Sequence, residues 1–110
     1  MNESEKQIMG LISSSGESRA KAFEALQSVR KHDYDKAHKL LQESKDLDVE
    51  AHNIQTKMIQ QELSEGGGGT QISLLMVHAQ DHYMTAQLSR DLIEEMIKIF
   101  EERDGEEKLS

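Results

Sequence analysis

Two histidines and a carboxylate fall within five residues, His78, Asp81 and His82, inside Val77-His78-Ala79-Gln80-Asp81-His82-Tyr83-Met84-Thr85. The surrounding pattern is helical, and on a helix positions i, i+3 and i+4 share a face, so the three side chains point the same way. Ionisable groups in the most apolar third of a chain are costly to bury without partners, which makes this cluster the first place to look for chemistry. Histidine suits reversible group transfer near neutral pH. Its neutral ring is a nucleophile, and a phosphorylated ring nitrogen is a good leaving group. Phosphoryl transfer needs little from a protein beyond positioning and charge neutralisation, so His78 with a few donors around it can form a complete site.

Other chemistries fit less well. A two-histidine metal site at His78 and His82 lacks the glutamate of the His-Glu-x-x-His arrangement. Asp81 could serve as a third zinc ligand only with strained geometry from the same turn. Asp81 shares its stripe with Leu74, Leu88 and Leu92, and no Arg or Lys lies on this helix within one turn. In a symmetric oligomer its copies would meet at the axis, where a shared divalent cation, magnesium or calcium by its oxygen ligands, would relieve the repulsion. A solvated or protonated aspartate, or one paired with another helix, is equally compatible with the sequence. His32 in a turn, His38 on a polar face and His52 beside an apolar stripe have no comparable company and read as surface or rim histidines.

Three helical segments must position this cluster. The first spans about Ser4 to Lys31 with an apolar stripe of Ile8, Leu11/Ile12, Ala22, Leu26 and Val29. Its Ser13-Ser14-Ser15-Gly16 run reads as a point where a neighbouring helix packs closely. Lys31-His32-Asp33 is a turn, with Asp33 as N-cap of a second helix from Tyr34 to about Leu63. That helix has a stripe of Ala37, Leu40/Leu41, Ser44, Leu47, Ala51, Ile54 and Met58. Four consecutive glycines inside residues 64–70 make a flexible linker. They lack the preceding strand and following Lys-Ser/Thr of a phosphate-binding loop.

The third helix spans about Gln71 to Glu102 and is apolar on two faces. One face carries Leu74, His78, Asp81, Thr85, Leu88, Leu92 and Ile99; the other carries Ile72, Met76, Ala79, Tyr83, Ala86, Ile93, Ile97 and Phe100. Three helices in one protomer cannot bury both faces, and self-association is the simplest remedy. Residues 104–110 read as a polar, frayed tail.

Composition bounds the rest. At 110 residues the chain reads as a single domain, 1–110. Absence of cysteine removes disulfides, thiolate metal sites and a cysteine nucleophile, and absence of proline leaves long helices unbroken. A net charge of -8 argues against nucleic acid as a partner. No apolar run reaches the ~18 residues of a membrane helix. The polar start Met1-Asn2-Glu3-Ser4-Glu5 is unlike a signal peptide, so a cytoplasmic protein is expected.

Leu74-Leu75-Met76-Val77-His78-Ala79-Gln80-Asp81-His82-Tyr83-Met84-Thr85 resembles the signature of the lactose/cellobiose-type enzyme IIA of the bacterial phosphoenolpyruvate:sugar phosphotransferase system. Gly10-Leu11-Ile12 with Gly16-Glu17-Ser18-Arg19-Ala20 is similar to the family's first helix. Asp33-Tyr34-Asp35-Lys36-Ala37 and Glu50-Ala51-His52-Asn53-Ile54-Gln55-Thr56 are similar to its second. The likeness extends from about Glu3 to Glu102, and the glycine run falls where the family varies.

The resemblance implies an all-α, antiparallel three-helix bundle assembled as a homotrimer. It implies that His78 accepts a phosphoryl group from the phosphocarrier HPr and passes it to a cysteine of enzyme IIB. It places Asp81 from each protomer around a divalent metal on the trimer axis, usually magnesium, with Gln80 and His82 close to the active histidine. Lactose-, cellobiose-, chitobiose- and lichenan-type sugars all fit such a carrier. A non-catalytic trimeric helical adaptor is the rival from another class. A two-component histidine phosphotransfer domain is a second rival, but Ala79-Gln80-Asp81-His82 lacks the Lys and Gly expected just after its histidine.

Overall fold

The structure, a computed structural model, describes residues 1–64 and 72–109, with side chains through 106. The described residues form three helices, α1 (Glu3–Val29), α2 (Tyr34–Leu63) and α3 (Leu74–Leu109), and no strands. Most of the expected glycine linker lies outside the described residues.

The ends of the helices are fixed by local chemistry. Asn2 caps α1: its side-chain oxygen accepts from the Glu5 N–H at 2.8 Å and its amide donates to Glu5 Oε1 at 3.1 Å. Glu3 and Glu5 place negative charge in the first turn, where the helix dipole favours it. The α1–α2 turn closes as a Schellman motif: the His32 N–H bonds Val29 O at 2.9 Å and the Asp33 N–H bonds Ser28 O at 3.1 Å. His32 holds the left-handed position, φ 55°, that glycine usually fills. Asp33 then caps α2 as expected, accepting from the Lys36 N–H at 3.2 Å. Ser73 caps α3 through the Met76 N–H at 3.1 Å, so this helix starts three residues later than the periodicity suggests.

The three helices run up, down and up. Opposed pairs show the order: Ser18 meets Ser44, Gln55 meets Gln80, and His38 meets Glu101. α1 packs closely on both others, while α2 and α3 touch far less. The result is a rod of 63 × 23 × 20 Å. Its core has two apolar halves. One contains Ala22, Ala25, Ala37, Leu40, Leu41, Ile93 and Ile97; the other contains Ile8, Leu11, Ala51, Met58, Ala79 and Tyr83.

A buried serine pair lies along the rod between these halves. Ser18 Oγ donates to Ser44 O at 2.8 Å, Ser44 Oγ donates to Ser18 O at 2.6 Å, and the two hydroxyls lie 3.0 Å apart. Each hydroxyl bonds backbone on the opposite helix, which only small side chains permit. The Ser13–Gly16 run lies within an unbroken helix, and its packing is carried by Ser14, Ser15 and Gly16 while Ser13 is exposed. Ser14 and Ser15 are buried, and Ser15 turns its hydroxyl to Leu11 O at 2.6 Å.

One expectation is corrected at the C-terminus. Instead of fraying at 104, α3 continues to Leu109. Asp104 is held by His32 Nδ1 at 2.8 Å and by the Tyr34 hydroxyl, so the turn at the far end of α1 anchors the segment. The glutamates and lysine beyond it are good helix formers with no proline to stop them.

The two faces of α3 separate over most of its length as their spacing suggests, but Ile72, which precedes the helix, and Phe100 are exposed rather than buried with the inner face. Ala79, Tyr83, Ala86, Ile93 and Ile97 are buried against α1 and α2. Leu74, Val77, Met84, Leu88, Leu92, Met96 and Ile99 remain exposed in the protomer. No described helix is long and apolar enough to cross a membrane.

Candidate functional site

His78 and His82 stand one turn apart on α3, their ring centroids 5.7 Å apart and their planes tilted by 31°. His78 is exposed and His82 half-buried. Neither ring makes a hydrogen bond among the described residues. His78 is therefore an accessible imidazole with a second imidazole beside it, on a face a macromolecular partner can reach.

His82 leans on α1. A Cβ built on Gly16 would lie 3.1 Å from His82 Nε2 and 4.0 Å from its Cδ2. Burial holds the His82 pKa below its ordinary value of 6.5; the charges of Arg19 and His78 lower it further, against the opposing pull of Asp81. The ring is thus neutral near pH 7 and can offer one N–H. Arg19 makes no ion pair among the described residues. It lies three positions beyond Gly16 on α1, on the same face of that helix.

Asp81 is exposed, and its carboxylate makes no hydrogen bond or ion pair among the described residues. Leu74, Met84, Leu88 and Leu92 on the same helix are also uncovered. Among the described residues of one protomer, no group of three histidine, cysteine, aspartate or glutamate side chains could hold a metal ion. Asp81 fits a divalent cation only as one oxygen donor among several supplied by other copies of the chain.

Gln80 takes a different direction from His78, as a step of two residues on a helix requires. It accepts from Gln55 Nε2 of α2 at 2.8 Å. In the protomer it ties α3 to α2, and the structure does not bring it together with the histidine pair. One residue beyond His82, the buried Tyr83 hydroxyl lies 3.2 Å from His52 Nδ1 and 3.5 Å from Gln87 Nε2. Burial, then the nearby Asp48 carboxylate, push the Tyr83 pKa above its usual value, with Arg90 and Gln87 opposing. Arg90 bridges Asp48 at 3.4 Å and Asp91 at 3.0 Å. These contacts fix the rotation of α3 behind the site and give His52 a partner.

His38 pairs with Glu101 at 2.7 Å, and His32 with Asp104, so both read as structural rim histidines. The sequence pattern of α3 finds the histidine pair and Asp81. It does not find Gly16 as the seat of His82. The available signal was a glycine inside a run of small residues, and pairing it with His82 requires knowing that α1 and α3 run parallel.

Comparison with known proteins gives the same architecture a family. Residues 6–101 match the family model described as "PTS system, Lactose/Cellobiose specific IIA subunit". The chain is 41% identical over 99 residues to the N,N'-diacetylchitobiose-specific enzyme IIA component of Escherichia coli K12, covering 90% of this chain and 84% of the relative. Its fold superposes on the crystal structure of the cellobiose-specific enzyme IIA from Bacillus anthracis with a TM-score of 0.88 at 35% identity, covering 96% and 94% of the two chains. It also superposes on the enzyme IIA of a solution complex between IIA(chitobiose) and HPr from Escherichia coli, with a TM-score of 0.80 at 38% identity over 94% and 99%. A family match across nearly the whole length, on a fold that carries the histidine pair on its third helix, leads to one conclusion: the chain belongs to the lactose/cellobiose-specific IIA subunits of the sugar phosphotransferase system.

Proposed function

We propose that this chain is a phosphohistidine carrier, taking a phosphoryl group from HPr onto His78 and passing it to a cysteine of an enzyme IIB during uptake of a lactose/cellobiose-type sugar. The observation that carries this is His78 itself: an exposed, unbonded imidazole 5.7 Å from a second ring. The solved complex of a similar enzyme IIA with HPr supports the donor.

An unprotonated ring nitrogen of His78 attacks the phosphorus of the donor phosphohistidine in line. A new N–P bond forms as the donor N–P bond breaks, and its electron pair returns to the donor ring. In the second step a cysteine thiolate attacks, an S–P bond forms, and the pair in the N–P bond returns to His78. Neutral His82 offers a hydrogen bond to the phosphoryl oxygens, and Arg19 adds positive charge nearby. Gln80 holds α3 against α2 through Gln55 and so fixes the helix that carries the pair.

The working form is a homotrimer. The uncovered face of α3 supplies the contact, with Asp81 from each protomer brought to the axis. Three carboxylates there would hold a divalent cation, magnesium fitting an all-oxygen donor set. That cation would supply charge neutralisation between subunits rather than part of the transfer chemistry. A non-catalytic adaptor would leave every histidine unphosphorylated.

The test is incubation with phosphoenolpyruvate, enzyme I and HPr, followed by mapping of acid-labile phosphate. The expected result is one phosphate on His78 and none in His78→Gln at unchanged helical content. Phosphate on the His78→Gln protein would reject the assignment.

A further inference from the structure

Resting on the phosphoryl-transfer reading above, we infer that Gly16 of α1 is a positioning residue for that site: the missing side chain seats the His82 ring against α1 and sets its spacing from His78. α1 contains two interior glycines, and each makes that helix harder to form than alanine would. Their surroundings differ. At Gly10 an added Cβ would meet only Ile54 Cδ1 at 3.3 Å, the far end of a side chain that can turn aside. At Gly16 it would meet His82 Nε2 at 3.1 Å; both contacts are closer than ordinary van der Waals contact, but the one at Gly16 falls on a ring beside His78 rather than on an aliphatic tip.

The His82 ring makes no hydrogen bond among the described residues that would hold it in place. Its position is set by what it leans on. The ring rests on Gly16 through Nε2, with Cδ2 the next nearest atom. A methyl group at position 16 would drive the ring off this seat by a few tenths of an ångström and alter its distance from His78. The displaced group is a side chain on a rotatable bond, so the bundle itself keeps its packing. A misplacement of about 1 Å in a transfer site costs on the order of 10²-fold in rate, so this smaller shift should cost about 3- to 10-fold.

The experiment compares the full-length wild type with Gly16→Ala, Gly10→Ala, His82→Ala and the Gly16→Ala/His82→Ala double variant. Each is phosphorylated from phosphoenolpyruvate through enzyme I and HPr, melted, and its histidine ring resonances recorded by long-range 1H–15N correlation without phosphate. Three results are expected. Gly16→Ala transfers 3- to 10-fold more slowly while its Tm stays level or rises, because alanine favours the helix. Its His82 ring resonances move, whereas those of Gly10→Ala do not. The alanine at 16 adds no further loss once His82 is already alanine. A merely structural glycine would give the opposite set: a lowered Tm, an equal loss in both backgrounds and an unmoved ring. Wild-type transfer rates in Gly16→Ala, or a ring that does not shift, would overturn the inference. A wild type that takes no phosphate would reject the proposed function instead, and the ring resonances would then decide the seat by themselves.

Discussion

Changing Leu88 and Leu92 together to aspartate tests whether the outer face of α3 is where copies of the chain meet. Leu88 is 59% and Leu92 51% exposed in the protomer, so about half of each side chain remains to be buried. Full burial of a leucine is worth about 1.5–3 kcal/mol, which leaves about 1 kcal/mol per side chain to be gained on assembly. Three protomers contribute six such leucines, so these two positions supply about 6 kcal/mol, roughly four decades in the association constant. Aspartate removes that gain and adds carboxylates beside Asp81, which strengthens the effect. Neither leucine is among the buried core residues of the protomer, so the helices should survive. Sedimentation equilibrium at micromolar concentration should return about three times 12.5 kDa for the wild type and 12.5 kDa for the variant, with unchanged far-ultraviolet circular dichroism. A double variant that still sediments as the trimer would refute the reasoning, as would a wild type that is already monomeric.

Asp81→Leu should stay trimeric, keep a phosphorylatable His78 and lose any response of its melting temperature to chelator. The wild type should melt lower with chelator and higher with added magnesium, and indifference to both would remove the metal. The Glu94 carboxyl is held below its usual 4.5 chiefly by its hydrogen bond to Lys45, so the stabilisation it contributes is complete above that value and lost as pH falls through the folded pKa. Lys45→Met should therefore flatten the stability–pH curve below about pH 4.5, and an unchanged acid limb in urea titrations would contradict this. Ser44→Ala should cost about 1 kcal/mol, since Ser18 Oγ keeps its bond to Ser44 O. Ser44→Leu should cost about 3 kcal/mol by forcing α1 and α2 apart, and chemical denaturation checks both.

Much of this molecule is legible from its residue spacing because helices declare themselves through local periodicity. The stripe on α2 and the middle of the two apolar faces of α3 coincide with what is buried and what is not, while Ile72 and Phe100 at the ends of the inner face are exposed. Asp33 announces its cap by type and position. The Schellman turn is harder to read, because its left-handed residue is His32 rather than glycine, and only the bonds around it reveal the motif. The continuation of α3 past Asp104 was hidden for another reason. A polar segment reads as a tail until its partners His32 and Tyr34, some seventy residues earlier, are known. The site divides in the same way. His78, Asp81 and His82 stand out on one helix, while Gly16 lies against His82 only through a helix–helix contact that no local pattern encodes.

The close packing of α1 against both partners, with α2 and α3 approaching each other less closely, has a dynamic consequence. Loss of either outer helix leaves α1 half covered, whereas loss of α1 removes most of the close backbone packing and leaves α2 and α3 joined mainly by side-chain bridges such as Lys45–Glu94, Arg90–Asp48 and Gln55–Gln80. Local opening should therefore begin in the outer helices, and α1 amides should exchange most slowly with solvent. Along α3 the gradient runs from its start towards its far half. Leu74 and Leu75 are exposed, whereas Ile93 and Ile97 are locked into the core against Leu40 and Leu41. His78 sits one turn from the loose end. The ring proposed to take the phosphoryl group is thus carried on the less tightly packed end of the rod, while the opposite half keeps the helices in register.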